Sequence, residues 1–491
     1  MSYRKVNIWK TIDWITVLFY LIMVAAGWFS ICGASYEYGH MNWFDPSGRP
    51  GSQLIWIALS FVLIFFILML DSNFYGVFAH LIYAVIILLL IVTIFLAPDI
   101  KGSHSWLVLG PLRLQPAEFA KFATALAVAK IMSTYGFKLA KVKNILLVLF
   151  LIFLPLACIL LQSEMGSALV FLAFFLVLYR EGMTGYVLLT GICAVAFFVI
   201  SMMYSEVLIG TSPLGELLVL SIVQVLMIFL ARVLQQERSA LPVKILSGTT
   251  LAVGLTAYVV SLSTSVDWIR VAIGLIGVSS VYLIYLAIKH WFWQYLLIIL
   301  FAIVSIGFLY SVDYVFNELL EPHQQLRIQV ALGLKDDPGG AGYNVNQSKI
   351  AIGSGGLMGK GFLNGTQTKL KYVPEQDTDF IFCTVGEEEG FVGASAVLFL
   401  FTFFIIRLIS LAEKQKTAFA RIYGYSVASI FFFHLAINIG MVTGLTPVIG
   451  IPLPFFSYGG SSLWGFTILL FIFLRLDASR KERFGGGGLE V

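Results

Sequence analysis

The chain has 491 residues, 59% hydrophobic and only 12% charged, with a formal net charge of +4 and a mean hydropathy of +0.92. A soluble domain carries about 25% charged residues, so a soluble enzyme with one membrane anchor is excluded. A β-barrel, whose strands would alternate in polarity, is excluded too. The charge surplus is too mild for nucleic-acid binding and reads instead as orientation bias across a bilayer.

A hydrocarbon slab of about 30 Å needs about 20 apolar residues per crossing. Segments of that kind fall at 11–35, 53–70, 75–97, 116–135, 143–162, 166–180, 184–209 and 215–232, then at 241–263, 268–288, 291–313, 386–409, 420–443 and 460–475. The expected fold is therefore all-α and polytopic, with about 14 transmembrane helices. No small-residue cleavage site follows the first run, which is expected to stay as a helix. A single membrane domain is expected over 1–484, and Gly485 to Val491 reads as a linker and tag remnant.

With the N-terminus inside, the inner loops collect Arg4, Lys5, Lys138, Lys141, Lys143, Arg180, Lys414, Lys416 and Arg480. The outer short loops hold mainly Arg49, Lys101 and Arg113. That asymmetry obeys the positive-inside rule and brings both termini to the cytoplasmic side. The long polar stretch 314–385 then lies outside. The window 313–389 holds 11 of the 27 acidic residues, and nine of the 44 glycines fall between Gly339 and Gly365. So long a loop in a tightly connected bundle is usually functional. Its apolar residues Val345, Ile350, Ile352, Leu357 and Phe362 predict that it packs down. Cys32, Cys158, Cys193 and Cys383 form no CxxC pair and are expected as free buried thiols.

Ionisable groups inside the bilayer cost about 2.5–3.5 kcal/mol each at a helix centre. Glu118 and Lys121 stand at i and i+3 behind Pro116, so they share a helix face. Glu164 falls at the outer junction of the fifth and sixth segments. These groups fit either ion pairs at helix ends or a polar cavity open to the outer leaflet. In the long loop, Pro338 holds Asp337 extended, with Gly339 and Gly340 beyond it for close backbone approach. A carboxylate held so is a candidate general base, although Asp-Pro-Gly-Gly is also an ordinary turn. The run Gly353-Ser354-Gly355-Gly356-Leu357-Met358-Gly359-Lys360-Gly361 lacks the Walker spacing, so a nucleotide loop is rejected. Its exposed N–H groups beside Lys349, Lys360, Lys369 and Lys371 remain suited to a phosphate or pyrophosphate.

Taken together these stretches resemble the SEDS proteins, the RodA/FtsW family of polytopic peptidoglycan glycosyltransferases. The resemblance rests on Trp106-x2-Leu109-Gly110, Gln115-Pro116-Ala117-Glu118-Phe119-x-Lys121, Gly166-Ser167-Ala168-Leu169-Val170 and Asp337-Pro338-x-Gly340-x-Gly342-Tyr343. It continues through Gln347-Ser348-x2-Ala351-Ile352-Gly353-Ser354-Gly355-Gly356, Gly365-Thr366-Gln367, Thr378-Asp379-Phe380-Ile381-Phe382 and Gly386-Glu387-Glu388. Pro452-Leu453-Pro454-Phe455-x-Ser457-Tyr458-Gly459-Gly460-Ser461 completes it. Gly365-Thr366-Gln367 looks more like the RodA branch.

Four positions depart from the family pattern: Ser105 stands for an arginine, Ser163 for a proline, Glu164 for an aspartate and Ala117 for a serine. The resemblance implies about ten crossings, each of the length a bilayer requires. Here residues 184–313 hold five segments where one is expected. About four extra helices, within about 184–290, preserve the parity that puts the loop outside.

The resemblance implies an inverting lipid II polymerase of the bacterial inner (cytoplasmic) membrane, serving cell-wall elongation and cell shape and releasing polyprenyl pyrophosphate. It makes Asp337 the expected catalytic base, with Asp336 the runner-up. Arg327, Lys349 and Lys360 become expected pyrophosphate partners, and Glu118, Lys121 and Glu164 expected liners of the lipid cavity. Trp106, Gln347 and Ser348 stand in the matching motifs as further substrate-binding residues. No cofactor is specified; a divalent cation, Mg or Mn, would fit the pyrophosphate chemistry. A class B penicillin-binding protein, the cross-linking transpeptidase, is the implied partner. A lipid II flippase or other transporter is the alternative in a different class, and a scaffold that only recruits the transpeptidase is a third.

Overall fold

The computed structural model describes residues 8–36, 43–100, 102–110, 112–205, 207–234, 241–261, 266–314, 316, 318, 320, 322–332, 334–335 and 341–482. By their contacts they form two compact units, Met1–Met183 with Pro338–Val491, and Thr184–Asp337.

The first unit starts with α1 (Ile8–Thr11), α2 (Trp14–Ser35), α3 (Arg49–Met69) and α4 (Ser72–Leu96). Asp13 and Asp71 cap α2 and α4 by accepting the backbone N–H of Thr16 and Asn73, donors that a first helical turn leaves orphaned. A hairpin of β1 (Leu107–Leu109) and β2 (Leu112–Leu114) pairs Val108 with Arg113 and leads into α5 (Pro116–Met132). Pro116 opens α5 as the sequence predicts. After α6 (Val142–Leu161), the next segment is broken into α7 (Met165–Leu169), a 3-10 turn over Val170–Ala173 and α8 (Phe174–Arg180).

The second unit is a helical bundle. It holds α9 (Gly185–Met203), the short ladder β3 (Leu208–Ile209) and β4 (Ser212–Pro213), α10 (Leu214–Leu234), α11 (Leu241–Ser261), α12 (Trp268–His290), α13 (Tyr295–Tyr314) and α14 (Pro322–Ala331). Phe197, Val219, Val223, Met227, Leu283 and Ile298 make its core. Within that core the Gln224 amide donates to Thr250 Oγ1 at 2.8 Å and Ser279 Oγ at 2.9 Å, tying α10 to α11 and α12. Side-chain hydrogen bonds of this kind join helices where lipid offers no hydrophobic drive to associate.

The first unit resumes with α15 (Ala341–Ser354), α16 (Thr366–Lys369), α17 (Ile381–Glu388), α18 (Gly390–Glu413), α19 (Ala418–Thr443) and α20 (Gly460–Glu482). Its axis is α5, in which every residue but Phe119, Lys130 and Ile131 is buried. Ala117, Ala120, Ala123, Ala125, Ala127 and Ala129 let α4, α6, α19 and α20 approach its backbone closely. A helix wrapped by others need not be apolar itself, which is why buried Glu118 and Lys121 are tolerated in α5.

Among the described residues 12 helices are long and apolar enough to cross a membrane. The expected fourteen segments all fold as helix, but two fall short: α5 has 17 residues and Met165–Arg180 is a short, interrupted piece. Both lie among other helices, so neither needs a full lipid-facing length. Helix α18 begins at Gly390 rather than 386, because Glu387 and Glu388 end α17 instead. Within the first unit the long polar stretch carries α15, α16 and the start of α17 and packs down through Ala351, Val373, Phe380, Ile381 and Val385. Of its expected apolar anchors, Val345 is buried and Ile352 half-buried, whereas Ile350, Leu357 and Phe362 are exposed. The four cysteines are free and buried.

Candidate active site

The centre of the first unit holds a desolvated polar cluster. Lys121 Nζ donates to Glu118 Oε2 at 2.8 Å, and both side chains are almost fully enclosed. It also meets His434 Nε2 at 3.0 Å and lies 4.7 Å from the Phe466 ring centroid. His434 Nδ1 is 3.1 Å from the carbonyl oxygen of Pro452. A carbonyl only accepts, so Nδ1 carries the proton and Nε2 offers its lone pair to the lysine. One carboxylate, a neutral imidazole and a ring face thus hold the ammonium, the arrangement a buried pair requires if it is not to cost several kcal/mol.

The same helix face continues one turn on. The Asn438 amide donates to the carbonyls of Ile451 at 2.7 Å and Asp379 at 2.8 Å. Helix α19 closes at Gly444, whose φ of 77° is left-handed. The chain after it is pinned by backbone contacts: Leu453 N–H to Ser457 Oγ at 2.8 Å, and Tyr458 N–H to the Asp377 carbonyl at 2.8 Å. Ser461 joins this loop to the start of α5, donating to the Arg113 carbonyl and accepting the Gln115 N–H. Phe455 within it is held at φ 64°, a strained conformation for a bulky residue of the sort that gathers at functional sites.

Over this end of the bundle lies the layer α15 to α17, organised by Glu387. Its enclosed carboxylate accepts from Lys360 Nζ at 2.6 Å, Gln367 N–H at 2.8 Å and Thr368 N–H at 2.9 Å. Burial alone would push this carboxyl up, but the Lys360 ammonium and the two N–H groups outweigh it and hold it below its ordinary 4.5. Glu388 beside it has the opposite balance. Its Oε1 is buried with no hydrogen-bond partner, and burial, with Glu389 and Glu387 nearby, pushes it up to about 8 against one N–H from Leu363.

Glu164 accepts from Ser103 Oγ at 2.7 Å and Ser105 Oγ at 2.9 Å. Two of the departures from the family pattern therefore touch each other. A side chain one methylene longer than aspartate reaches a hydroxyl where an arginine would otherwise stand.

The remaining expected residues divide. Asp337 and Asp336 lie outside the described residues, as does the Arg327 side chain. Lys360 is engaged by Glu387 rather than turned outward. Lys349 on α15 is exposed and runs over Gly444. Ser348 is fully buried, donating to the Val442 carbonyl at 2.7 Å and accepting from Cys383 Sγ. Trp106 and Gln347 are half-buried. Among the described residues no group of three His, Cys, Asp or Glu is arranged to hold a metal ion.

Sequence reasoning missed His434, Asn438 and the organising role of Glu387. The signal for the first two was available: a histidine and an asparagine one turn apart inside an apolar segment are the intramembrane polar residues that mark function.

Spanning helices, a desolvated Glu118–Lys121–His434 cluster on the central helix and a folded polar layer over one end define a polytopic membrane protein with an intramembrane polar site. The model of the FtsW/RodA/SpoVE cell cycle protein family matches residues 13–212 and 216–482, and the chain belongs to that family. It is similar to the peptidoglycan glycosyltransferase RodA of Treponema pallidum, 30% identical over 426 residues that cover 87% of this chain and 89% of the relative. A chain solved within a peptidoglycan synthase complex superposes with a TM-score of 0.61 at 25% identity, covering 96% of this chain and 98% of that one. RodA of Thermus thermophilus has the same fold, with a TM-score of 0.54 at 21% identity, covering 96% of this chain and 99% of that one.

Proposed function

We infer that the chain is a peptidoglycan glycosyltransferase that polymerises lipid II. The observation that carries this reading is the buried Glu118–Lys121–His434 cluster beneath the α15–α17 layer in a chain whose family match runs almost end to end. In the reaction the C4 hydroxyl of one disaccharide attacks the anomeric carbon of another. The C1–O–phosphate bond breaks, and polyprenyl pyrophosphate leaves with its electron pair. That leaving group is already a stable anion and needs no acid, so one base suffices where a glycosidase uses two carboxylates.

Asp337, four residues before α15 begins at Ala341, is the base that takes the hydroxyl proton. General-base help supplies about 10²–10⁴-fold, or about 3–5 kcal/mol of barrier. Arg327 and Lys349 are assigned to the pyrophosphate, while Lys360 shapes the layer through Glu387. Glu164, Trp106 and Gln347 are assigned to the route of the lipid-linked sugar, with the enclosed Glu118–Lys121 pair holding α5 behind it. The basic charge of the loops supports an orientation with both termini in the cytoplasm and α15–α17 outside the inner membrane. A class B penicillin-binding protein is the proposed partner, supported by the likeness to a chain of a peptidoglycan synthase complex.

The test is detergent-solubilised protein incubated with lipid II. Glycan polymer is expected without any membrane compartment, an outcome a pure transporter cannot give. The variant Asp337→Asn should fold and yield no polymer. Near-normal polymer from it removes Asp337 from the mechanism.

A further inference from the structure

At the far end of the first unit, where α4 and α19 begin and α5 and α20 end, a cavity of about 240 Å³ is lined by Lys130, Lys416 and Arg480. Ser72, Ser133 and Thr417 add polar atoms to its wall. Two acidic groups are near, and both are spoken for. Asp477 is buried and takes the Gln415 amide at 2.6 Å and the Arg480 guanidinium at 3.4 Å. Asp71 caps α4 through the Asn73 N–H. Lys130, Lys416 and Arg480 against Asp477 and Asp71 leave one positive charge in surplus, while the helix ends offset one another, since α4 and α19 present N-termini and α5 and α20 C-termini.

A second feature distinguishes what would fill it. Val77 lines the cavity and is strongly exposed, as are Leu81, Val85 and Leu88. These four residues stand at i, i+4, i+8 and i+11 of α4, one continuous apolar stripe running from the cavity toward the bilayer centre. A hydrated phosphate has no use for such a stripe; an acyl chain does.

We propose that this cavity is a binding site for an anionic phospholipid, its phosphate held by Lys130, Lys416 and Arg480 and one acyl chain laid along Val77, Leu81, Val85 and Leu88 of α4. Basic pockets between spanning helices on the cytoplasmic side suit lipid headgroups of this kind. The site is independent of the polymerase reading, and only its assignment to the inner leaflet rests on the orientation given above.

The experiment is a lipid titration of the full chain in detergent, read by native mass spectrometry and by thermal melting. Phosphatidylglycerol is expected to bind and raise Tm, phosphatidylcholine to bind at least tenfold more weakly, and inorganic phosphate at millimolar concentration to leave Tm unmoved. The double variant Lys130→Gln/Lys416→Gln should weaken phosphatidylglycerol about tenfold to thirtyfold, while Lys130→Arg/Lys416→Arg keeps it. The arginine pair preserves charge, so it reads the site even if the glutamine pair melts early. Equal binding of the two lipids, or unchanged affinity in a folded glutamine variant, overturns the proposal. A Tm rise with inorganic phosphate equal to that with phosphatidylglycerol overturns the lipid assignment.

Discussion

Lys121 on α5 and His434 on α19 meet at 3.0 Å although 313 positions separate them in the chain. The imidazole accepts because its other nitrogen is committed to the Pro452 carbonyl, so the loop after α19 sets the state of the lysine's partner. His434→Leu leaves the buried ammonium one acceptor short, at a cost of about 1–3 kcal/mol. We expect a lower Tm and at least tenfold less polymer from lipid II. His434→Gln, whose amide oxygen can accept in the same place, should recover most of both. Equal activity in the leucine and glutamine variants would show that the acceptor is not needed.

Glu387→Gln removes the anion that faces Lys360 and two backbone N–H groups. Breaking a buried pair by removing one partner costs about 3–5 kcal/mol. The expected result is loosening of α16 and of the turn around Lys360, seen as faster hydrogen exchange at Gln367 and Thr368, with loss of polymerisation. The pH sense follows from the depressed carboxyl: its contribution is present above the ordinary 4.5 and is lost as pH falls through the lower folded value.

Glu388 titrates the other way. Its carboxyl is pushed up to about 8 in the fold against an ordinary 4.5, so the folded chain holds a proton that the unfolded chain gives up across that window. Stability therefore falls as pH rises from about 4.5 to about 8. The titratable groups facing Glu388 are Glu387, Glu389, Lys369 and Cys32, and of these only Lys369 opposes the shift, together with the Leu363 N–H. Glu388→Gln should flatten the Tm profile over that range and be the more stable protein at its alkaline end. A wild-type slope in the variant would assign the pH dependence elsewhere.

The glycine-rich run separates two kinds of glycine. Gly359 has φ 78°, and a Cβ there would sit 2.0 Å from the Glu388 carbonyl oxygen. Gly353 is helical with nothing within 4 Å of the same atom. Gly359→Ala should displace the layer and abolish polymerisation, whereas Gly353→Ala should be active and gain up to about 1 kcal/mol. Comparable activity in the two variants would mean that the close approach of the two backbones is dispensable.

Much of the site was legible before any coordinates. Glu118 and Lys121 lie three residues apart on a helix that Pro116 opens, so their pairing is a local matter of helical geometry. The rest depended on packing. Ser105 and Glu164 each read as an isolated departure from a pattern, and only the fold shows one hydroxyl answering the other carboxylate. Lys360 looked like a free cation in a glycine-rich loop until Glu387, 27 positions on, took it. The shortness of α5 was hidden for a related reason: Ala-rich, charged sequence is costly beside lipid and harmless within a ring of helices.

Transfer from water to hydrocarbon is a property of each residue, summed along the chain. The helical class, the spanning segments and their orientation bias could therefore be read from the order of amino acids alone. An ammonium's partner is a property of position in space. That Lys121 faces His434, that Glu387 is ionised while Glu388 holds its proton, and that three cations share one cavity at the other end were decided only when distant segments packed together, because charge and hydrogen-bond energies act over a few ångströms and take no account of sequence separation.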